Sequence, residues 1–390
     1  MKTVIRKTAF TAALVIGCAA AQIASAQGAV HTWGDNTWGQ VTNTPVGTDF
    51  ISVSAGQTSQ TVAVRKNGTL VAWGNDYAGK VSNTPAGGGF VQAWAGYQVN
   101  TALKSDGTLV SWGDNSNSLV SGTPTGTFTA VALGFGRAHA IRTDGSIKTW
   151  GENYYGTMSG TPAGNDFKAI AAGVFQSVAL HDDGHITTWG DDSAGVVTNT
   201  PVGNDFVAVT SGESFCLALK SNGAIVGWGN DINGVLSNIP AATGFIAVSA
   251  GWRTAIALKS DGTVVAWGDD SVGLVSNIPA NVKFTSISAG NSMFVGIEGA
   301  AAPQLVTDLR NKLLALIANN QVSAKNAKPL LSKLQSVQTY LAAGDTQDAI
   351  LQLQGFVNQV NTMMKKHQIS NVVGTSLMAD AYAIIDMLQA

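Results

Sequence analysis

Charged residues and cysteines are scarce in this 390-residue chain, and long apolar runs are missing after its first segment. Only 12% of the residues are charged and the formal net charge is -2, so a general affinity for nucleic acid is disfavoured. Cys18 and Cys216 are the only cysteines, and Cys216 lies in an apolar sequence typical of a buried strand. No later segment approaches the roughly 20 apolar residues that span a bilayer. We therefore expect neither a disulfide framework nor a membrane span.

Residues 1–26 have the pattern of a secretory signal peptide. A basic start is followed by an apolar stretch and by the small-x-small sequence Ala24-Ser25-Ala26. We expect cleavage there, a mature chain that begins at Gln27, and a secreted or periplasmic location. An alternative lies in Val15-Ile16-Gly17-Cys18, which resembles the processing box of bacterial lipoproteins and would leave a lipid anchor on Cys18.

Glycine and tryptophan are abundant and regularly spaced. The chain has 45 glycines, and a Trp-Gly dipeptide recurs at a period of about 40 residues, which indicates one supersecondary unit repeated in tandem. Pairs such as Asp106-Gly107 and Asp261-Gly262 favour tight hairpins between short strands. Four strands per unit are the expected count, and the units predict a seven-bladed β-propeller over residues 29–298. The dipeptides begin at Trp33, Trp73, Trp112, Trp150, Trp189, Trp228 and Trp267.

The two ends of the repeat region are each half a unit. The region opens with the second half of a unit at residues 29–34 and closes with a first half over residues 284–297. We expect the halves to pair into one composite blade that closes the ring through backbone hydrogen bonds.

A helical segment follows a linker at residues 299–303. Apolar residues then fall at helical spacing, which predicts a compact all-α bundle over residues 304–390. Ser323, Asp345 and Ser370 are candidate N-caps, and Gly344 is a candidate stop. Pro329 either kinks the second helix or marks its start. The four expected helices cover residues 304–319, 323–343, 345–366 and 371–389.

The repeated unit resembles that of the regulator of chromosome condensation family. The resemblance is carried by an Ala-Gly turn, an Ala-Leu-Lys-Ser-Asp-Gly hairpin and a Trp-Gly-Asp-Asp loop, as at residues 250–270. The units here are short, and residues such as Val99, Gln176 and Thr254 replace a histidine usual in the family. With these departures, the chain is more similar to a secreted bacterial branch that includes a β-lactamase inhibitory propeller. In that branch one face of the ring binds a protein partner.

The tail resembles the FIMAH-type helical domain found at the C-terminus of many secreted bacterial proteins. Ala343-Gly344-Asp345, the segment at residues 351–360 and Ala379-Asp380-Ala381 carry this resemblance. It implies an extracellular protein but no particular activity.

The most variable positions follow the repeated Ala-Gly-type glycine, where several units place a large side chain. Equivalent turns are expected on one face of the ring, and aromatic and arginine residues are enriched in protein-binding hot spots. Filling space between blades is the alternative role for several of them, and Tyr97, Trp252 and Arg253 are the strongest candidates for exposure. The candidate binding residues are Tyr97, Phe135, Arg137, Phe175, Phe215, Trp252, Arg253 and Met293.

No catalytic or cofactor motif stands out, so we predict a non-enzymatic protein with no cofactor and an unidentified protein partner. Turn capping explains the acidic loops after four of the Trp-Gly pairs better than calcium does; their residues are Asp35, Asp114, Asp191, Asp192, Asp269 and Asp270. His181 and His185 flank a hairpin and favour a solvated turn over a zinc site. Two other functions stay open: a glycan-active lyase or hydrolase with a central pocket, and a surface-anchored lipoprotein adhesin.

Overall fold

The computed structural model describes residues 28–299, 302–343 and 345–389. The predictions of a signal peptide, of Cys18 as a lipid anchor, of Gln27 as the mature start and of a helix stop at Gly344 lie outside these residues. The chain divides into two compact units, Met1–Gly299 and Ala300–Ala390.

Seven antiparallel sheets follow one another in the described part of the first unit, which confirms the seven-bladed propeller. We number them as blades 1 to 7. Blade 1 contains β2 (Phe50–Ala55), β3 (Gln60–Arg65) and β4 (Leu70–Gly74); blade 2, β5 (Phe90–Ala95), β6 (Val99–Lys104) and β7 (Leu109–Gly113); blade 3, β8 (Phe128–Leu133), β9 (Arg137–Arg142) and β10 (Ile147–Gly151); blade 4, β11 (Phe167–Ala172), β12 (Gln176–His181) and β13 (Ile186–Gly190); blade 5, β14 (Phe206–Ser211), β15 (Phe215–Lys220) and β16 (Ile225–Gly229); blade 6, β17 (Phe245–Ala250), β18 (Thr254–Lys259) and β19 (Val264–Gly268); and blade 7, β20 (Phe284–Ala289), β21 (Met293–Glu298) and β1 (Val30–Gly34).

Blade 7 is the expected composite blade. Strand β1 pairs antiparallel with β21, so that Val30 lies opposite Ile297 and Gly34 opposite Met293. The first strands of neighbouring blades pack against one another around the ring, and β20 packs against β2 to close it. The Ser288 hydroxyl also accepts a hydrogen bond from the Ala55 backbone N–H at 3.1 Å. The chain ends of the propeller therefore hold the ring shut.

Each blade has three strands among the described residues, so the expectation of four was wrong. Where the fourth strand was expected, the chain makes a tight turn that an Asp or Asn side chain closes. Asp231, for example, accepts the backbone N–H groups of Leu236 at 2.6 Å and Ser237 at 3.0 Å. Side chains of this kind compete with strand ladders by bonding their own backbone, and this competition is the physical reason for the missing strand.

The seven repeated tryptophans join each blade to the one before it. Every indole N–H donates to a backbone carbonyl of the preceding outer turn, at distances between 2.8 and 3.1 Å. Trp33 makes the closing contact, since its acceptor is the carbonyl of Leu274. The seven rings are buried, which confirms their role in packing between blades.

The second unit has four helices in its described residues and a core of its own. The helices are α1 (Ala302–Ala318), α2 (Ala324–Ala342), α3 (Thr346–Lys365) and α4 (Asn371–Gln389), within two residues of the expected bounds. Ser323, Asp345 and Ser370 accept the backbone N–H of Asn326, Asp348 and Val373, which confirms the three N-caps. The second helix continues through Pro329, which therefore does not mark its start. Its core includes Leu309, Leu330, Leu353, Phe356 and Leu377.

Candidate protein-binding face

The variable turns and the loops after Trp-Gly lie on one face of the propeller. In every blade the first strand ends, the second begins and the third ends at the same end of the sheet. Backbone hydrogen bonds join the two kinds of segment, as from Asp114 N to Gln98 O at 3.0 Å and from Asp269 N to Arg253 O at 3.1 Å. We call this side of the ring the turn face. The side that carries the Asp-Gly hairpins is the hairpin face.

Five of the eight candidate binding residues reach the surface of the turn face. Arg253 is exposed, and the four aromatic side chains are partly exposed. These five follow the turn glycine by one or two positions. They are Tyr97, Phe135, Phe175, Trp252 and Arg253.

Arg137, Phe215 and Met293 are buried, so the expectation that they contact a partner was wrong. Each is the first residue of a second strand, three positions after the turn glycine, and packs within the ring. Their role is the alternative one of filling space between blades.

Arg137 shows how this position works. Its guanidinium donates to the carbonyls of Val174 at 2.9 Å, Gly173 at 3.2 Å and Gln176 at 2.8 Å in the next blade. Burial lowers the pKa of Arg137 to about 10. In blade 1, Gln60 makes the equivalent bond to Gly96 O at 2.7 Å, so the position serves as a polar strut between blades.

Aromatic rings from opposite sides of the ring meet over its centre. Tyr97 of blade 2 lies 4.7 Å from Phe135 in a T-shaped contact and 6.4 Å from Trp252 of blade 6, measured between ring centroids. Phe135 in turn lies 6.1 Å from Tyr154. Such pairs stabilise beyond their buried area, by about 0.5–1.5 kcal/mol each. The cluster is therefore a continuous aromatic surface.

Sequence reasoning missed an outer set of exposed aromatic residues. Trp38, Tyr77, Tyr154 and Tyr155 lie four or five positions after a repeated tryptophan, and Trp38, Tyr77 and Tyr155 are more than half exposed. The signal was present in the out-of-register Trp38-Gly39 dipeptide and in the paired tyrosines.

Tyr155 has a strained backbone as well as an exposed ring. Its φ is 54°, in the left-handed region that disfavours bulky residues, whereas Asn233 occupies the equivalent position two blades later. The Tyr155 ring lies 5.1 Å from Phe175, edge to face. Ala78 shares this conformation, which therefore belongs to the repeated turn, and it is the exposed ring beside Phe175 that makes this part of the face a candidate contact.

Lys80 is a further residue whose role the sequence did not reveal. Its side chain is completely buried under the Tyr97 turn, where Nζ donates to the Tyr97 carbonyl at 2.9 Å and to the Thr58 hydroxyl. Burial lowers the pKa of Lys80 to about 8, and the nearby Asp114 carboxylate partly offsets this effect. Lys80 therefore positions the Tyr97 turn from below.

Two depressions lie on the turn face. A cleft of about 200 Å³ is lined by Trp252, Asp269, Ser271 and Asn291, among others. A smaller one at the centre of the ring is lined by Tyr97, Phe135 and Glu213, and Glu213 accepts a hydrogen bond from Arg253 at 2.8 Å. The described residues that line them do not bring together the carboxylates or histidines that a glycan-active enzyme needs, so this alternative gains no support.

The histidines of the hairpin face are held by neighbouring side chains. His181 is buried, contrary to the expected solvated turn, and its ring nitrogens lie 2.9 Å from Asp166 and from Thr187. His185 stacks on it at 3.6 Å. Within the described residues, no group of three or more histidine, cysteine or acidic side chains is arranged to hold a metal ion.

The loop carboxylates cap turns, as expected from their positions. Asp76, Asp192 and Asp270 each accept two backbone N–H groups five and six residues later. Asn36, Asn115 and Asn153 make the same bonds in other units. Since an amide serves equally well, the turn itself does not require a negative charge.

Comparisons with known structures support the propeller fold. Prp20p from Saccharomyces cerevisiae is similar at 14% identity, over 72% of this chain and 93% of that chain, with a TM-score of 0.59. The ectodomain of the Physcomitrella patens receptor kinase CR4 is similar at 24% identity, over 63% and 69%, with a TM-score of 0.54. Human WBSCR16 matches at 12% identity, over 66% and 88%, with a TM-score of 0.56. At these identities the likeness concerns the fold alone.

Family models match parts of both units. Residues 245–273, in blade 6, match the regulator of chromosome condensation (RCC1) repeat, and residues 306–386 match the FIMAH domain. No curated protein matches the chain. In the described part of the chain, none of the helices has the length and apolar character needed to cross a bilayer. The chain therefore combines a seven-bladed propeller, one blade of which matches the regulator of chromosome condensation repeat, with a helical unit that matches the FIMAH domain.

Proposed function

We propose that this chain is a secreted, non-enzymatic protein-binding propeller whose turn face holds the partner. One observation carries the proposal. Within the propeller, the exposed tryptophan and tyrosine side chains lie on the turn face, around the cluster of Tyr97, Phe135 and Trp252. Exposed aromatic patches of this kind are typical of binding hot spots.

The fold is consistent with this function. Propellers of this repeat type are typical protein-interaction domains, and Prp20p has binding properties toward Gsp1p and histones. We infer only that the partner of the present chain is a protein and that it docks on the turn face.

A double substitution tests the proposal. Trp252→Ala with Tyr97→Ala removes the centre of the cluster, and we expect at least about 30-fold weaker binding of the partner captured from the extracellular mixture, because hot-spot residues each contribute about 2 kcal/mol or more. The melting temperature should fall by no more than about 6 °C, since the two aromatic contacts that are lost contribute about 0.5–1.5 kcal/mol each and both rings are partly exposed.

The matched control uses the hairpin face. Val46 and Val202 are almost fully exposed there, and Val46→Ala with Val202→Ala should leave partner binding unchanged. Equal binding by wild type and the Tyr97 and Trp252 double variant would refute the turn-face assignment. A large loss of stability in that variant would instead show that the two rings belong to the core.

Secretion is the second part of the proposal. It rests on the signal-peptide pattern of residues 1–26 and on the extracellular character implied by the tail. Mass spectrometry of the mature N-terminus tests it: Gln27 supports simple secretion, whereas a lipidated Cys18 shows a surface-anchored lipoprotein.

A further inference from the structure

We propose that the partner presents a basic surface, rich in lysine and arginine, to the turn face. This inference rests on the proposed function and specifies the chemistry of the partner. It follows from the distribution of charge between the two faces of the propeller and from the exposed aromatic rings among the carboxylates.

The turn face carries a large excess of negative charge. Its described turns and loops contain ten carboxylates, none of them buried, against three cations. Two of the cations, Lys80 and Arg137, are buried beneath the surface, and the third, Arg253, is already paired with Glu213. The carboxylates belong to Asp35, Asp76, Asp114, Glu152, Asp191, Asp192, Glu213, Asp231, Asp269 and Asp270.

Backbone hydrogen bonds favour the ionised form of several of these carboxylates. Backbone N–H groups donate to the Asp231 and Asp270 side chains and lower the pKa of both below the ordinary value. Their negative charge is therefore a fixed property of the face.

The hairpin face has no such excess among its described residues. It contains nine cationic and nine acidic side chains, several of them paired, as in Lys220 with Asp205 at 3.2 Å and Lys283 with Asp261 at 3.7 Å. The cations are Arg65, Lys66, Lys104, Arg142, Lys148, Lys168, Lys220, Lys259 and Lys283. The acids are Asp49, Asp106, Asp144, Asp166, Asp182, Asp183, Asp205, Asp261 and Glu298. The net charge of the propeller therefore lies on the turn face.

The two faces act separately on a partner. Strands of six residues place them about 20 Å apart, more than twice the Debye length of about 8 Å at physiological ionic strength. A partner at the turn face therefore meets its negative field without compensation from the hairpin face. A second copy of the propeller is not complementary, because neither face is positive.

The cleft beside Trp252 combines an exposed aromatic ring with a carboxylate. The Trp252 indole and the Asp269 carboxylate line it together with Ser271 and Asn291. An aromatic face and a carboxylate attract the same lysine or arginine side chain, by cation–π and ionic interaction. Arg253 also lines the cleft, but its guanidinium is engaged by Glu213. We therefore place an anchoring cation of the partner in this cleft.

The repeat supplies substitutions that remove charge and keep the turns. Asn75 and Asn230 stand where other units have the first loop carboxylate, and Asn36, Asn115 and Asn153 replace the second. A turn-face variant therefore changes Asp191, Asp192, Asp269 and Asp270 to Asn. The matched hairpin-face variant changes Asp106, Asp144, Asp183 and Asp261 to Asn, for which Asn67 and Asn222 are the precedents.

The experiment selects binders from a random-peptide display library on the full secreted chain. We expect the enriched peptides to carry a higher mean positive charge than the starting library. Synthetic copies of them should bind the turn-face variant roughly tenfold more weakly at physiological ionic strength, because the variant removes four negative charges from the face that they contact. The hairpin-face variant should bind them within about twofold of wild type, since its changes lie farther from the turn face than the Debye length of about 8 Å.

Other outcomes separate this inference from the proposed function. Enriched peptides that are neutral or acidic, yet lose binding on Trp252→Ala with Tyr97→Ala, would overturn the basic partner and leave the protein-binding face in place. Basic peptides that weaken equally on both charge variants would show non-specific attraction and also overturn it. Failure to enrich any peptide that depends on the turn face counts against both.

Discussion

Replacing the buried Lys80 with leucine should stabilise the propeller at neutral pH. Burial lowers the pKa of Lys80 from 10.5 to about 8. This difference corresponds to about 3 kcal/mol of free energy by which the native state disfavours the charged lysine. The loss of the hydrogen bonds to Tyr97 and Thr58 offsets part of this gain, at about 1 kcal/mol for each bond. We expect a net increase of about 1 kcal/mol in the free energy of unfolding at pH 7.

The sign of the pH dependence follows from the same shift. Between the native pKa of about 8 and the unfolded value of 10.5, the unfolded chain keeps a proton that the native protein releases. Stability therefore rises with pH across this window, and below it the full penalty is present. Lys80→Leu should remove this rise. Leucine is suited to the site, because Leu119 and Leu274 occupy the equivalent buried position in other units.

Tryptophan fluorescence is the appropriate assay. All ten tryptophans lie in the propeller, so denaturant unfolding followed at this signal reports on the propeller alone. The difference between wild type and Lys80→Leu, measured from pH 7 to 10.5, cancels the titration of other groups. Parallel stability curves across this range would show that Lys80 keeps an ordinary pKa, and would refute the reasoning.

Three further predictions concern the ring. Deletion of residues 29–46 removes β1 and its pairing with β21, and should lower the melting temperature of the whole propeller by more than about 10 °C. An unchanged melting temperature would show that the composite blade does not stabilise the ring. Arg137→Leu leaves several buried carbonyls unpaired, and this loss outweighs the relief of the burial that lowers the pKa of Arg137 to about 10, so the variant should be destabilised by about 2 kcal/mol. Arg137→Gln, which copies Gln60 and Gln176 of other blades, should cost about half as much in denaturant unfolding. Equal losses in the two variants would show that these hydrogen bonds do not stabilise the contact between blades. Asp231→Ala should lower the melting temperature, and Asp231→Asn should not, since Asn153 closes the equivalent turn; a similar loss in both would show that the charge matters to the turn.

The architecture was predictable because the same sequence unit of about 40 residues recurs seven times. The spacing of the tryptophans, the hairpin pairs and the two half-units together indicated a closed ring, and each N-cap of the helical unit followed from a single side chain. The fourth strand was a wrong expectation, since side chains such as Asp231 bond their own backbone instead of leaving it for a ladder partner.

The binding face was only partly predictable. The repeated glycine located the variable turns, but it did not show which of their side chains reach solvent. A side chain one or two positions after the glycine is at the surface, whereas a side chain three positions after it is buried. Tyr97 and Arg137 differ in this way. The buried Lys80 and the exposed Tyr155 depend on packing and on backbone angles that no periodicity reveals.

The indole hydrogen bonds have a consequence for how the protein associates. Seven bonds from buried tryptophans to the backbone of the adjoining blade fix the angle between neighbours all the way round, including the junction at Trp33. The aromatic rings of the turn face thus have their mutual positions set before any partner arrives. Docking then loses little conformational entropy and requires little backbone movement, as in preorganised receptors. Weakening a single indole bond, far from the contact surface, should lower affinity by restoring motion that the closed ring suppresses.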